Sequence, residues 1–254
     1  MTTSTDVRRP HTIRGGTAAG VREHKAAART AAVLYITGTV AGLLASAVTA
    51  VVRDAADPLS AAAQHSGAVV TGALLALVMG LSLGFIPVVL LPVLRRVNEV
   101  LAIGYLIVRG AVETSCYVII AIAILLTLPL GGIIAAGPGT QSEAGVRLGN
   151  LLLSSDAANA VLTLVFCLGT AAFYLLLHRS RIVPRWIAVW GLAAIPLYVA
   201  AYVLTLYSVI DAGSTGQALM VTPLAVQEMV LAVWMFSRGF RPAVLTAPAV
   251  TAAA

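Results

Sequence analysis

Six long apolar runs follow one another along the chain, separated by glycine, proline and charged residues. They lie at about 30–52, 68–91, 100–128, 151–177, 186–207 and 219–236. About 20 apolar residues suffice for one membrane crossing, because an α-helix rises about 1.5 Å per residue and the hydrocarbon core is roughly 30 Å thick. The pattern predicts an all-α, polytopic membrane protein, a six-transmembrane-helix bundle that occupies residues 29–241.

The segments around these runs carry weaker patterns. Residues 1–28, rich in arginine, and the Ala/Pro-rich residues 242–254 are predicted to be disordered tails. Asp57-Pro58 predicts the start of a short helix, since aspartate caps helix N-termini and proline suits the first turn. Pro92 predicts the end of the second span, and Thr140–Glu143 resembles a capping box.

Composition restricts the functional classes. The chain has 254 residues, of which 59% are hydrophobic and only 10% are charged, whereas a soluble domain carries about 25% charged residues. The net charge of +6 does not indicate nucleic acid, because the charges cluster between the apolar runs. Cys116 and Cys167 lie inside spans, and no Cys/His spacing resembles a zinc site. Neither a metal nor a cofactor is expected.

The basic residues also predict the orientation. Six Lys/Arg lie in the N-terminal segment, two in the 91–99 loop, three in the 178–185 loop and two after the sixth run, which makes thirteen on one side. Only Arg53 and Arg147 lie on the other side. Cytoplasmic loops are enriched in Lys and Arg. Both termini are therefore predicted to be cytoplasmic, in the inner membrane of a bacterium.

One pair of opposite charges interrupts the third apolar run. Arg109 and Glu113 are four residues apart, so they share one face of a helix and can pair. A charge near the bilayer centre costs roughly 2.5–3.5 kcal/mol on insertion scales. The bundle must therefore turn this face away from lipid and supply partners for it.

Further polar residues fall at a similar predicted depth. Counting about 1.5 Å per residue places Arg109 and Glu113 roughly 14 and 20 Å above the cytoplasmic edge. Asn159 and Glu228 fall at roughly 16–18 Å and Asp156 at roughly 22 Å. These five, together with Gln227, are the candidate residues for binding a substrate or an ion. Asp156, Glu113 and Glu228 are also the candidate catalytic acids.

The number of charges in this layer favours a bound proton or cation. One arginine faces three carboxylates, and two uncompensated negative charges are unfavourable in a low dielectric. Buried acids that keep a proton serve proton relays and general acid catalysis. The alternative is structural: Arg109 and an acidic partner lock three helices together, and Asn159 and Gln227 join helices by hydrogen bonds. Tyr105, Tyr117, Tyr198 and Tyr202 are predicted to pack or to line a lipophilic pocket.

Several of these pieces resemble one family. They are Ala28–Gly42, Asn98-Glu99 with Arg109 and Glu113, Val183-Pro184-Arg185-Trp186, Gln227–Trp234 and Gly239-Phe240. In this combination, over about 29–241, the chain resembles the bacterial membrane family called domain of unknown function 4386. The resemblance implies a six-span helical membrane protein and supplies no catalytic residues.

Three functional classes follow from these features. The first is a small transporter- or permease-like protein that uses the Arg/carboxylate cluster to handle protons or a cation. The second is an integral membrane enzyme that uses a buried carboxylic acid on a lipophilic, isoprenoid-like substrate. The third is a non-catalytic regulatory or immunity protein. The predicted partners are the lipid bilayer and a small lipophilic substrate or ion; the oligomeric state is left open.

Overall fold

The computed structural model describes residues 15–136, 143–153 and 156–241, with side chains over 24–133, 143–153 and 158–241. The regular elements in these ranges are helical. They are α1 (Gly15–Arg53), α2 (Pro58–Gln64), α3 (Ser66–Leu94), α4 (Glu99–Tyr105), a π-helical segment (Leu106–Glu113), α5 (Thr114–Ala136), α6 (Glu143–Leu153), α7 (Asp156–Ser180), α8 (Arg185–Leu206) and α9 (Thr215–Ser237). The predicted all-α class is confirmed.

Six stretches within these elements are long and apolar enough to cross a membrane. They run over His24–Arg53, Ser66–Leu94, Glu99–Ile133, Glu143–Ser180, Arg185–Leu206 and Thr215–Ser237. The third consists of α4, the π-helical segment and part of α5, and the fourth contains α6 and α7. Leu43, Val100 and Leu168 are among the many large apolar side chains that remain exposed on the outside of the bundle. Such a surface suits lipid, so this is a multi-pass membrane protein.

The spans form a ring. Each span packs against the next one in the chain, and α9 packs against α1 to close the circle. The order agrees with short connections between antiparallel neighbours. A ring of six helices leaves space along its axis, which side chains must fill or leave as a cavity.

Two buried apolar clusters fill the two ends of this ring. The larger includes Tyr35, Leu90, Phe173 and Leu231. It lies near the basic end, defined as the end where α3 and α7 finish and where Arg95, Arg96, Arg179, Arg181 and Arg185 lie. The smaller cluster includes Val52, Ala73 and Ile124 and lies toward the opposite end. The middle of the bundle lies between the two.

The first helix begins earlier than the apolar pattern predicted. Residues 15–28 belong to α1 rather than to a disordered tail. This segment is rich in alanine, the strongest helix former, and Ala28 is completely buried among neighbouring helices. Residues 1–14 and 242–254, the rest of the two predicted tails, lie outside the described residues.

One predicted helix end is confirmed, one is wrong, and one lies outside the described residues. Asp57 accepts a hydrogen bond from the Ser60 backbone N–H at 3.2 Å, with Pro58 in the first turn of α2, as predicted. The predicted end of the second span at Pro92 is wrong by two residues, since α3 continues through Leu94. The Thr140–Glu143 capping box extends into 137–142, outside the described residues.

Close packing of α5 on α2 gives a test of the fold. Gly131→Ala would place a methyl group against the backbone carbonyl oxygen of Leu59, whereas a methyl group on Gly132 would meet nothing within 4 Å. Overpacking of this kind costs about 1–3 kcal/mol. We expect Gly131→Ala to melt at a lower temperature than wild type in detergent. The matched variant Gly132→Ala should melt at the same temperature or higher, because alanine favours helix; equal melting of the two variants would contradict the packing.

Candidate functional site

Arg109 lies in a π-helical segment rather than in a regular α-helix. The apolar pattern predicted one continuous α-helix for the third span, but Leu106–Glu113 adopts the wider π form. Thr114, five residues after Arg109, donates its hydroxyl to the Arg109 carbonyl at 3.3 Å and so supports the wider turn. On the other side, Gly84 of α3 approaches Thr114 so closely that a Cβ there would overlap the hydroxyl. π-Helical turns occur frequently at functional sites.

The Arg109 guanidinium is buried inside the ring of helices, with its side chain 1% exposed. Its central carbon lies 5.6 Å from the centre of the Tyr35 ring and 5.0 Å from that of the Phe166 ring. Its Nη1 donates a hydrogen bond to the Thr170 hydroxyl at 3.1 Å. Aromatic faces attract cations, most strongly where water is excluded. Helices α1 and α7 therefore both help to hold this charge.

Two carboxylates complete the cluster. Glu113 Oε2 lies 3.6 Å from Arg109 Nη1, and Glu228 Oε1 of α9 lies 3.9 Å from Arg109 Nη2. The predicted pairing of Arg109 with Glu113 is present, and Glu228 joins it from another helix. The two acids differ in access, since the side chain of Glu113 is 1% exposed and that of Glu228 is 16% exposed.

Several polar atoms of the cluster have no hydrogen-bond partner within the described part of the chain. They are Nε and Nη2 of Arg109, both carboxylate oxygens of Glu113 and Oε1 of Glu228. With both acids ionised, the three side chains carry a net charge of −1. Burying an uncompensated charge is costly, so the arrangement favours the uptake of one proton or one cation.

A cavity of about 340 Å³ adjoins the cluster and receives side chains from all six spans. Its polar lining includes Arg109, Glu228 and Asn159, and its aromatic lining includes Tyr117, Phe166, Tyr198 and Tyr202. Tyr105 and Phe173 do not line it; their stacked rings, with centres 4.9 Å apart, lie between Arg109 and the basic end. On the side away from the basic end, the lining includes Asn159, an exposed polar residue near the start of α7. We take this side as the open side of the cavity.

The remaining predicted residues are in three different situations. Asn159 lines the cavity, some distance along α7 from the Thr170 that contacts Arg109. Gln227 points elsewhere: it accepts a hydrogen bond from the Tyr174 hydroxyl and donates one to the Ile187 carbonyl at 2.8 Å. That arrangement joins α7, α8 and α9 and matches the structural alternative. Asp156 is the first residue of α7, and its side chain lies outside the described part.

Two aromatic contacts of Arg109 were missed by the sequence analysis. Phe166 lies three residues after Thr163 and four before Thr170, on the same face of α7 as these two threonines, so its spacing could have placed it in the site. Tyr35 has no comparable indication, beyond its position in the first apolar run. Among the described residues, no group of three His, Cys, Asp or Glu side chains is arranged to hold a metal ion.

Burial of the Arg109–Glu113 pair gives a second prediction. Glu113→Gln removes the fully buried partner of Arg109 and leaves Glu228, 3.9 Å from the guanidinium, as its acidic partner. We expect part of the roughly 3–5 kcal/mol that breaking a buried pair costs. We expect a clear fall in melting temperature in detergent. The control is Glu143→Gln, which breaks the i,i+4 pair with Arg147 on the surface, where the two side chains are 81% and 74% exposed. That variant should melt like wild type, and an equal loss in both would mean that burial of Arg109–Glu113 is not what stabilises the fold.

Comparison with known proteins identifies the family. No curated protein and no solved structure matches the chain. The model of one family, described as domain of unknown function (DUF4386), matches residues 30–239. Some of the segments that carried the predicted resemblance are close together in the fold. Arg109 and Glu113 contact Glu228. The backbone N–H of Arg241, next to Phe240, donates a hydrogen bond to the carbonyl of Ile182, next to Val183. The match covers most of the chain and confirms the resemblance: this multi-pass membrane protein belongs to the DUF4386 family.

Proposed function

We propose that the protein is a small transporter- or permease-like protein in which the Arg109–Glu113–Glu228 cluster binds and releases a proton or a cation. The observation that carries the proposal is the excess of one buried carboxylate over the single guanidinium, beside a cavity that all six spans line. A surplus acid in such a place is most stable with a counterion or a proton.

The two acids have different roles in this proposal. Glu113 is fully buried, is not among the residues that line the cavity and is close in sequence to Arg109, so it acts as the permanent counterion. Glu228 lies slightly farther from the guanidinium, keeps 16% of its side chain exposed and lines the cavity. Glu228 is therefore the acid that exchanges its proton with the cavity.

In this proposal, the stacked rings of Tyr105 and Phe173 act as the inner gate. The parallel rings of Tyr105 and Phe173 separate Arg109 from the basic end, and large buried side chains such as Leu90 and Leu231 fill the same end. Transport requires that the site open to each side in turn. In this proposal, separation of these rings opens the site toward the basic end.

The proposed orientation places the basic end in the cytoplasm of a bacterial cell, in the inner membrane. Arg95, Arg96, Arg179, Arg181 and Arg185 are exposed at that end. At the opposite end the described residues carry only Arg53 and Arg147 as basic side chains. This asymmetry supports cytoplasmic termini, and the cavity then opens to the outside.

Cysteine labelling tests the orientation. Arg179→Cys should stay unlabelled by a membrane-impermeant maleimide applied to intact cells, because the residue is exposed at the basic end. Asp211→Cys, exposed in the 207–214 connection at the other end, should be labelled. The parent protein with Cys116 and Cys167 gives the background. Labelling of the first variant from outside, with none of the second, would invert the proposal.

Infrared spectroscopy and proton flux test the role of Glu228. Wild type should show a protonated carboxyl band that titrates with pH, and Glu228→Gln should lose that band. Because glutamine is close in size and the lost group is only partly paired, this variant should keep its melting temperature while Glu113→Gln does not. In proteoliposomes under a pH gradient, Glu228→Gln should lose the wild-type proton flux. A band and a flux that are unchanged in Glu228→Gln would reject the proposed function.

A further inference from the structure

We infer that the cavity binds a small monovalent organic cation, of the quaternary ammonium class, in exchange for the proton of Glu228. The inference rests on the proposed function and names its substrate class. It stands on three features of the cavity: its net charge, its aromatic wall and its size.

The charge of the cavity selects a cation. Glu113 compensates Arg109 at 3.6 Å, which leaves the carboxylate of Glu228 as the surplus charge facing the cavity. An anion in the cavity would reach the guanidinium only beside the carboxylate of Glu228, because Arg109 and Glu228 both line the cavity. A doubly charged cation would leave an excess positive charge, with no third acid among the described side chains of the site. One positive charge brings the site to neutrality.

The aromatic wall selects an organic cation over a hydrated metal ion. Phe166 lies 5.4 Å from Tyr198, and Tyr198 lies 5.5 Å from Tyr202, measured between ring centres. These rings form a continuous wall along α7 and α8 that leads from the cluster toward the open end. Quaternary ammonium groups bind to such aromatic surfaces because the faces of the rings carry partial negative charge and demand no directional hydrogen bond.

The rest of the lining suits a compact alkylated group. Gly38, Gly42, Met79 and Leu83 add an apolar part to the lining, in which Leu83 packs against Gly38 and Met79 against Gly42. Asn159 supplies one polar group near the mouth. The volume of about 340 Å³ is at the small end for ligand sites, so it fits a ligand with few heavy atoms.

Exchange with a proton follows from the single surplus acid. When the cation binds, the O–H bond of Glu228 breaks, the proton leaves through the open end to water, and the cation replaces it without a change in net charge. The charged groups that face Glu228 are Arg109 and Glu113. The neutral titratable groups around it are Tyr35, Tyr105, Tyr117, Cys167, Tyr174 and Tyr198. With no second carboxylate lining the cavity among the described residues, cation and proton compete for one position.

Three probes of one shape test the inference by titration calorimetry on the purified protein. They are choline, its neutral carbon isostere 3,3-dimethylbutan-1-ol, and the anion 3,3-dimethylbutyrate. We expect choline to bind at least tenfold more tightly than either of the others. Its affinity should fall as the pH is lowered, and one proton should be released for each choline bound. Equal binding of choline and the alcohol, tighter binding of the anion, or no choline binding would each overturn the inference.

Substitutions test whether choline binds in this cavity. Glu228→Gln should lose choline binding at least tenfold, and Tyr202→Leu should lose it several-fold. The control Tyr207→Leu removes a ring that is 77% exposed and does not line the cavity, so it should bind choline like wild type. Unchanged choline affinity in Glu228→Gln would reject this assignment. If the alcohol binds as well as choline while the Glu228 infrared band and the proton flux persist, only the cation class fails; loss of band and flux as well would reject the proposed function.

Discussion

One buried guanidinium constrains the centre of this bundle. Arg109 cannot face lipid, because a charge at that depth is costly without partners. Its two acidic partners, its two aromatic contacts and its hydroxyl acceptor come from four different spans. The ring of helices is the arrangement that brings these groups to one point while leaving the outer surface apolar. Moving any one of α1, α7 or α9 would remove part of the compensation.

The compensation differs in one respect from that of a purely structural ion pair. A purely structural pair would match one base with one acid and close the space around them. Here a second acid remains, and an open cavity leads to it. Gln227, the residue before Glu228, is fully paired instead, because its amide oxygen and its amide nitrogen are both hydrogen-bonded to neighbouring helices. Of these neighbouring positions on α9, Gln227 thus joins helices and Glu228 lines the cavity.

The sequence was sufficient to predict the six spans, the Arg109–Glu113 pair and the participation of Glu228. Apolar length and helical spacing report directly on those features. Depth along the membrane normal was predicted from residue counts, but it fixes only one of three coordinates. Rotation about each helix axis decided that Gln227 turns away from the cluster and that Tyr35 turns toward it. The π-helical segment was not predicted, because the apolar pattern of the third span does not distinguish a π-helical turn from an α-helical one.

The position of Glu113 has a consequence for how the chain enters the membrane. During synthesis the third span leaves the ribosome before α7 and α9 exist, so the aromatic clamp of Phe166 and the second acid cannot yet help Arg109. Of these partners, Tyr35 has already been made at that point, and Glu113 follows Arg109 within the same span. A carboxylate one turn away lets the third span partition into lipid with its own charge partly masked. Glu113, the less accessible acid of the cluster in the folded protein, is thus the only acidic partner from the cluster that Arg109 has when the third span is made.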